Sequence, residues 1–213
     1  MTVPGLLIVI SGPSGTGKGS ICRCLLKRRP DIFLSVSATT RLPRAGETNG
    51  KEYHFKDKTE FEAMLAQDEF LEWASVYDNY YGTPRTPVDS ALAQGRDVLL
   101  EIDIKGALKV KQKAPEGIYI FLVPPSMEVL RTRITGRGTD SMEVISKRLG
   151  KSMEELSYLY EYNYVVVNDV LEEAAAKVES IIIAEKSRTH RYRIQSNAGP
   201  EEPLLVEKDL KNW

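Results

Sequence analysis

The chain has 213 residues, 42% hydrophobic and 28% charged, with 29 Lys+Arg against 30 Asp+Glu. A net charge of −1 excludes a globally basic polyanion binder and an acidic disordered chain. The longest apolar runs fall short of the ~20 residues that a bilayer requires, and residues 1–11 lack the charged start and small-residue cleavage site of a secretory signal. The only cysteines, Cys22 and Cys24, exclude a disulfide scaffold, and their i, i+2 spacing reads as two ordinary thiols. One cytoplasmic core domain is expected, with no nucleic-acid or membrane partner.

Short apolar runs alternate with helical patterns along the chain. Leu6–Ile10 reads as a buried strand feeding a Gly-rich turn. Ile21–Arg29 follows as an amphipathic helix stopped by Pro30. Ile32–Val36, Asp97–Ile102, Ile118–Val123 and Tyr164–Val167 read as further strands, with helical patterns near 87–94, 105–112, 126–135, 142–160 and 170–186. This order implies an α/β fold with a mostly parallel sheet and helices on both faces.

Residues 37–96 break the rhythm with short strand-like pieces, Glu52–Phe55 and Phe70–Tyr77, around one helical pattern, Thr59–Gln67. They are expected to form an inserted α+β subdomain at the carboxyl ends of the main strands, leaving a core of 1–36 and 97–186. Gly136-Arg137-Gly138 marks a small lid at 136–148. The polar tail, 187–213, is expected to attach loosely, with its last helical stretch a candidate for contacts between copies in a homo-oligomer.

Gly12-Pro13-Ser14-Gly15-Thr16-Gly17-Lys18 matches G-x-x-x-x-G-K between a strand and a helix, which is the context of a phosphate-binding P-loop. Glycines let the backbone wrap an anion, and the helix N-terminus adds partial positive charge. Lys18 places an ammonium against the β- and γ-phosphates. Gly19 stands where the general motif has Ser or Thr, which leaves Ser20 as the next hydroxyl for a metal shell. Asp103-Ile104-Lys105-Gly106 reads as the D-x-x-G of a GTPase, but no downstream Asn-Lys-x-Asp accompanies it to read guanine in that way. Within the insertion, Arg41 and Arg44 can fork onto phosphate oxygens, and Tyr53 and Tyr81 can donate phenolic O–H groups to the same anion. Glu72 sits among apolar neighbours in Phe70-Leu71-Glu72-Trp73, where a carboxylate needs a donor.

Taken together, these motifs resemble the guanylate kinase family. The resemblance rests on the P-loop, Ser37-Ala38-Thr39-Thr40-Arg41-x-Pro43-Arg44-x-Gly46-Glu47, Asn79-Tyr80-Tyr81-Gly82-Thr83, Glu101-Ile102-Asp103-x-x-Gly106, Pro124-Pro125-Ser126, Gly136-Arg137-Gly138, Lys147-Arg148 and Val167-Asn168-Asp169. They run in family order over about 6–186, within a guanylate kinase-like unit of 1–186. The resemblance implies a P-loop NTPase-type fold. It also implies a GMP phosphate held by Arg41, Arg44, Tyr53 and Tyr81, and a guanine read by Ser37, Glu72, Thr83 and Asp103. ATP would lie on Gly12 to Ser20 with Asn168 on its adenine side, and Lys18, Arg133, Arg137 and Arg148 would carry the transfer. Arg131 is unmatched and reads as a solvated charge. Glu101 stands where the family more often has Asp.

The implied reaction moves the γ-phosphoryl group of ATP to GMP or dGMP with Mg²⁺, the ion being carried mainly by ATP and water. A phosphate monoester has a second pKa of about 6, so no general base is required. Two rival readings are a catalytically inert binding module, which would typically lack Lys18, and a kinase for another nucleoside monophosphate.

Overall fold

The computed structural model describes residues 5–76, 78–135 and 142–191. The expected lid residues Gly136, Arg137 and Gly138 and the tail from residue 192 lie outside the described residues, as does Tyr77. Arg148 lies in a described helix, but its side chain is outside the description.

The main sheet is built from β1 (Leu7–Ser11), β2 (Phe33–Leu34), β7 (Val98–Glu101), β8 (Ile118–Val123) and β9 (Tyr164–Val167), in the order β2-β7-β1-β8-β9 with every pairing parallel. Side chains alternate across a strand, so β1 feeds two cores. Ile8 and Ile10 pack with Ile21 and Leu25 of α1 (Lys18–Arg28) and Val178 and Ile182 of α7 (Leu171–Lys186). Leu7 and Val9 pack with Val88 and Ala91 of α3 (Arg85–Ala93) and Ala107 and Val110 of α4 (Ile104–Lys113). A sheet covered on both faces explains strands that read as continuous apolar runs. No helix among the described residues is long and apolar enough to cross a membrane.

A second sheet holds β3 (Ala38–Thr39), β4 (His54–Phe55), β5 (Phe70–Val76) and β6 (Asn79–Pro84) in the order β4-β3-β6-β5. Helix α2 (Lys58–Ala66) packs Phe61 under it. Its N-terminus carries a reciprocal cap, with Asp57 Oδ1 accepting from Glu60 N at 2.7 Å and Glu60 Oε2 accepting from Asp57 N at 3.2 Å. Two further helices, α5 (Met127–Thr135) and α6 (Met142–Leu156), pack on each other through Leu130, Ile134 and Leu149.

Several sequence boundaries move. The strand expected at Ile32–Val36 shrinks to two residues, because at the sheet edge only β7 is available to pair with it. The helix expected over 142–160 ends at Leu156, and a 3-10 turn follows at Ser157–Glu161. The strand β6 runs through Asn79–Thr83, which the sequence marks only as a motif; it is the central partner of β3 and β5. The insertion expected to end at residue 96 gives way at Pro84, since α3 buries Val88 and Ala91 in the main core.

Gly82 in β6 faces the aromatic floor of the second sheet. A Cβ there would lie 2.8 Å from Phe70 Cδ1 and 3.1 Å from Phe61 Cζ, within a stack whose ring centroids are 4.5 Å apart. Gly82→Ala should therefore destabilise the protein by about 1–3 kcal/mol, as overpacking does. Urea unfolding checks this, and an unchanged midpoint would show that the stack yields freely.

Candidate functional site

The carboxyl ends of β1 and β7 carry the site. The chain leaves β1 into the loop from Gly12 to Gly17, where Gly12, Gly15 and Gly17 have φ of 146°, 87° and 86°. Side-chain-bearing residues rarely adopt these values. Gly17 has a second reason for lacking a side chain: a Cβ there would fall 2.4 Å from Asn168 Nδ2. Asn168 is buried and donates from Nδ2 to Thr16 O at 2.7 Å. Arg133 Nη1 donates to Asn168 O at 2.9 Å. Thr16 turns its hydroxyl inward onto Pro13 O, at 2.8 Å. The loop is thus held from behind by side chains.

A cavity of about 490 Å³ opens on this loop, lined by Gly12, Ser14, Gly15, Gly17, Lys18, Gly19 and Ser20 together with Arg23, Lys151 and Glu155. Lys18 Nζ donates to Gly12 O at 2.7 Å and Pro13 O at 3.1 Å. Burial pulls its ammonium below the usual range, against the opposing pull of Glu101, Glu155 and Asp103.

A second cavity, of about 250 Å³, lies toward the second sheet and is lined by Ser37, Tyr53, Glu72, Tyr81, Glu101 and Asp103, among others. Val76, Glu101 and Asp103 belong to both cavities, so the two share a wall at the end of β7. Glu72 and Thr83 are register partners across β5 and β6, and buried Thr83 Oγ1 donates to Glu72 Oε1 at 2.7 Å. Asp103 caps α4, its Oδ1 accepting from Gly106 N at 2.7 Å. Burial raises the Glu72 carboxyl to about 7, with the Asp103 charge adding to the shift and the Thr83 hydrogen bond opposing it. Tyr53 and Tyr81 meet edge to face at 5.9 Å. Arg41 lies 5.5 Å over the Tyr53 ring, and its Nη2 is 2.9 Å from both Glu47 oxygens.

The guanylate kinase family model matches residues 5–185. A guanylate kinase of Caldanaerobacter subterraneus subsp. tengcongensis is 60% identical over 189 residues, 89% of this chain and 92% of that protein. A guanylate kinase of Carboxydothermus hydrogenoformans is 51% identical over 197 residues, covering 92% and 97% respectively. The chain belongs to the guanylate kinase family. The crystal structure of guanylate kinase from Anaplasma phagocytophilum superposes with a TM-score of 0.75 at 35% identity, covering 90% of this chain and 91% of that one.

The structure of this guanylate kinase family member gathers Ser37, Tyr53, Glu72, Tyr81 and Asp103 around one cavity, and four residues of the loop with Lys18, Gly19 and Ser20 of α1 around the other. Thr83 reaches the Glu72 cavity only through Glu72 itself. Arg44 is exposed, and its backbone N–H donates to Glu47 Oε2 at 2.7 Å. Arg133 and Asn168 stand behind the loop. Arg131 is exposed, in keeping with a solvated charge. Sequence reasoning missed Arg23, Lys151 and Glu155. Arg23 had a signal, since it lies four residues after Gly19 and three after Ser20, on one helical face; its Nη2 is 3.3 Å from Ser20 Oγ.

The two departures from pattern meet in space. A Cβ on Gly19 would sit 3.3 Å from Glu101 Oε1 and 3.4 Å from Arg23 Nη1. The longer carboxylate arm occupies the room that a Ser or Thr side chain would enter, and the Cys22 thiol donates to it.

The raised Glu72 carboxyl has a consequence for folding. Its folded value, about 7, lies above the ordinary 4.5, so between these pH values the folded state binds the extra proton. Stability from this group is present below pH 4.5 and is lost as pH rises through 7. The loss is about 3 kcal/mol by the linkage relation. Glu72→Gln stays neutral while keeping an acceptor for Thr83. Its unfolding free energy should exceed that of the wild type by up to about 3 kcal/mol at pH 8, with the gap closing near pH 5. Equal pH profiles in chemical denaturation would show that Glu72 is solvated in the folded state.

Proposed function

We infer that the protein is an enzyme transferring the γ-phosphoryl group of ATP to GMP, giving ADP and GDP in purine nucleotide metabolism. The supporting observation is two cavities with a common wall, one on a P-loop and the other built around Glu72. Relatives at 51–60% identity over about nine-tenths of the chain carry the name guanylate kinase. We extend the acceptor to dGMP, since the residues argued below to bind it recognise the base and the phosphate.

In this reading ATP places its phosphates on the amides of Gly12 to Ser20. Lys18 exchanges the carbonyls of Gly12 and Pro13 for the β- and γ-phosphates. Asn168 fixes the loop beside the adenine. GMP enters the other cavity with its phosphate on Arg41, Arg44, Tyr53 and Tyr81. Ionised Glu72 accepts from guanine N1–H and the N2 amino group, while Ser37, Thr83 and Asp103 complete the reading of the base. Adenine lacks both donors, and an unpaired buried carboxylate costs upwards of about 1–3 kcal/mol, which rejects AMP.

A GMP phosphate oxygen attacks the γ-phosphorus in line. The bond from that phosphorus to the β-phosphate oxygen breaks, and ADP leaves. The nucleophile is already ionised, so positioning and charge neutralisation carry the rate. Lys18 supplies charge from the loop, Arg133 from behind it, and Arg137 and Arg148 from the expected lid. Ser20, Glu101 and Asp103 offer hard oxygen donors of the kind Mg²⁺ prefers. Among the described residues no group of three or more His, Cys, Asp or Glu side chains could hold a metal ion. When bound, Mg²⁺ neutralises phosphate charge. A cytoplasmic setting accords with ATP as donor and two free thiols.

A coupled ADP-release assay with GMP, dGMP, AMP, CMP and UMP tests this. GMP and dGMP should turn over, and AMP at least tenfold less efficiently. Turnover with no monophosphate would leave a binding module, and preference for AMP would remove the guanine assignment. Lys18→Ala should lower kcat by about 10²–10³-fold or more while GMP affinity holds within a few-fold. Retained turnover would contradict the phosphate role of Lys18.

A further inference from the structure

Gly106 occupies the third position of α4, where glycine is the poorest helix former after proline. Its backbone does not require glycine, since it is not among the residues with positive φ. The reason is space. A Cβ on Gly106 would lie 2.8 Å from Glu72 Oε2, 3.1 Å from Glu72 Cδ and 3.2 Å from Asp103 Oδ1. Neither carboxylate is free to withdraw. Glu72 is held through Oε1 by the buried Thr83 hydroxyl at 2.7 Å, and Asp103 by the Gly106 amide at 2.7 Å. Helix α4 also grips β5 next to Glu72, where Lys109 Nζ donates to Trp73 O at 2.5 Å.

We propose that Gly106 is a specificity-determining position, whose missing side chain sets how the Glu72 carboxylate faces the acceptor cavity. The inference rests on the guanine reading above. A base presenting two adjacent N–H donors needs both carboxylate oxygens in its plane. Thr83 holds one oxygen, and α4 backs the other only because position 106 carries no Cβ. A methyl group at 106 tilts the carboxylate out of that plane and breaks one of two charge-assisted bonds. Gly106 is a positioning residue, acting through Glu72.

The test is Gly106→Ala in the full chain, alone and with Glu72→Ala. Calorimetric binding should show the GMP Kd raised roughly ten- to hundredfold, the loss of one hydrogen bond to a charged group. The ADP Kd should stay within twofold. Thermal unfolding should show Gly106→Ala lowering Tm in the wild type but raising it in the Glu72→Ala background, where helix propensity acts without the clash. A general helix effect would instead give a rise in both backgrounds, and damage to the loop would weaken ADP as much as GMP; either result overturns the proposal. If Gly106→Ala alone does not fold, the double variant compared with Glu72→Ala still decides it, since a fall in Tm there refutes the clash with Glu72. A wild type that binds no GMP would overturn the guanine reading and this specificity role with it. Reversal of the Tm effect would then mark the steric contact alone, so the two failures look different.

Discussion

A parallel sheet buried on both faces leaves its polar chemistry few places to go. Here β1 and β7 lie side by side in the middle of the sheet, and their apolar side chains are committed to two cores. From β1 the chain crosses to β2 at one edge, whereas from β7 it crosses over β1 to β8 on the other side. The connections diverge at this point, which opens a crevice at the carboxyl ends of the strands. Gly12 to Gly17 fill one flank of it, and Glu101, Ile102 and Asp103 the other. Both cavities and the second sheet's approach through β5 and α4 follow from that geometry.

Burial acts on the two sides with opposite results. Removing water from Lys18 lowers its ammonium, and removing water from Glu72 raises its carboxyl, so each is pushed toward neutrality. Each group then has something to gain from a ligand of the opposite character. In the proposed function, phosphate favours the charged form of Lys18, and a base with paired N–H donors favours the charged form of Glu72. The same desolvation that makes the empty site costly makes it selective.

The main strands, their parallel character and the glycine loop were legible because each rests on a local signal: apolar runs of buried-strand length, and glycines spaced between a strand and a helix. Arg23 has a local signal too, in its helical spacing from Gly19 and Ser20. Strand β6 was not legible as a strand, since Tyr80-Tyr81-Gly82-Thr83 pairs only through contacts with β3 and β5 that no local pattern encodes. Long-range contacts also decide the site. The Glu72–Thr83 bond joins residues 11 apart, and the Asn168–Thr16 bond residues 152 apart. Chemistry-bearing residue types could be picked out beforehand. Their division into those that line a cavity and those that brace it could not, and Asn168, Arg133 and Thr83 fall in the second group.

The bracing bonds also bear on how a chain of near-zero net charge, read as binding two nucleotides, holds its cations. Lys18 rests on the carbonyls of Gly12 and Pro13, Arg41 on Glu47, and Arg133 on the carbonyl of Asn168. In the proposed function, Lys18 and Arg41 thus each have an internal acceptor that a phosphate oxygen can replace, and ligand entry becomes an exchange of acceptors. An exchange costs less than desolvating a bare ammonium or guanidinium, because the protein already pairs the charge before the ligand arrives. It also keeps the empty crevice from repelling itself, which a cluster of unpaired cations beside a helix N-terminus would do. In that reading local positive potential is built for nucleotides within a chain of near-zero net charge, and Glu47 and the loop carbonyls serve that balance as directly as the arginines do.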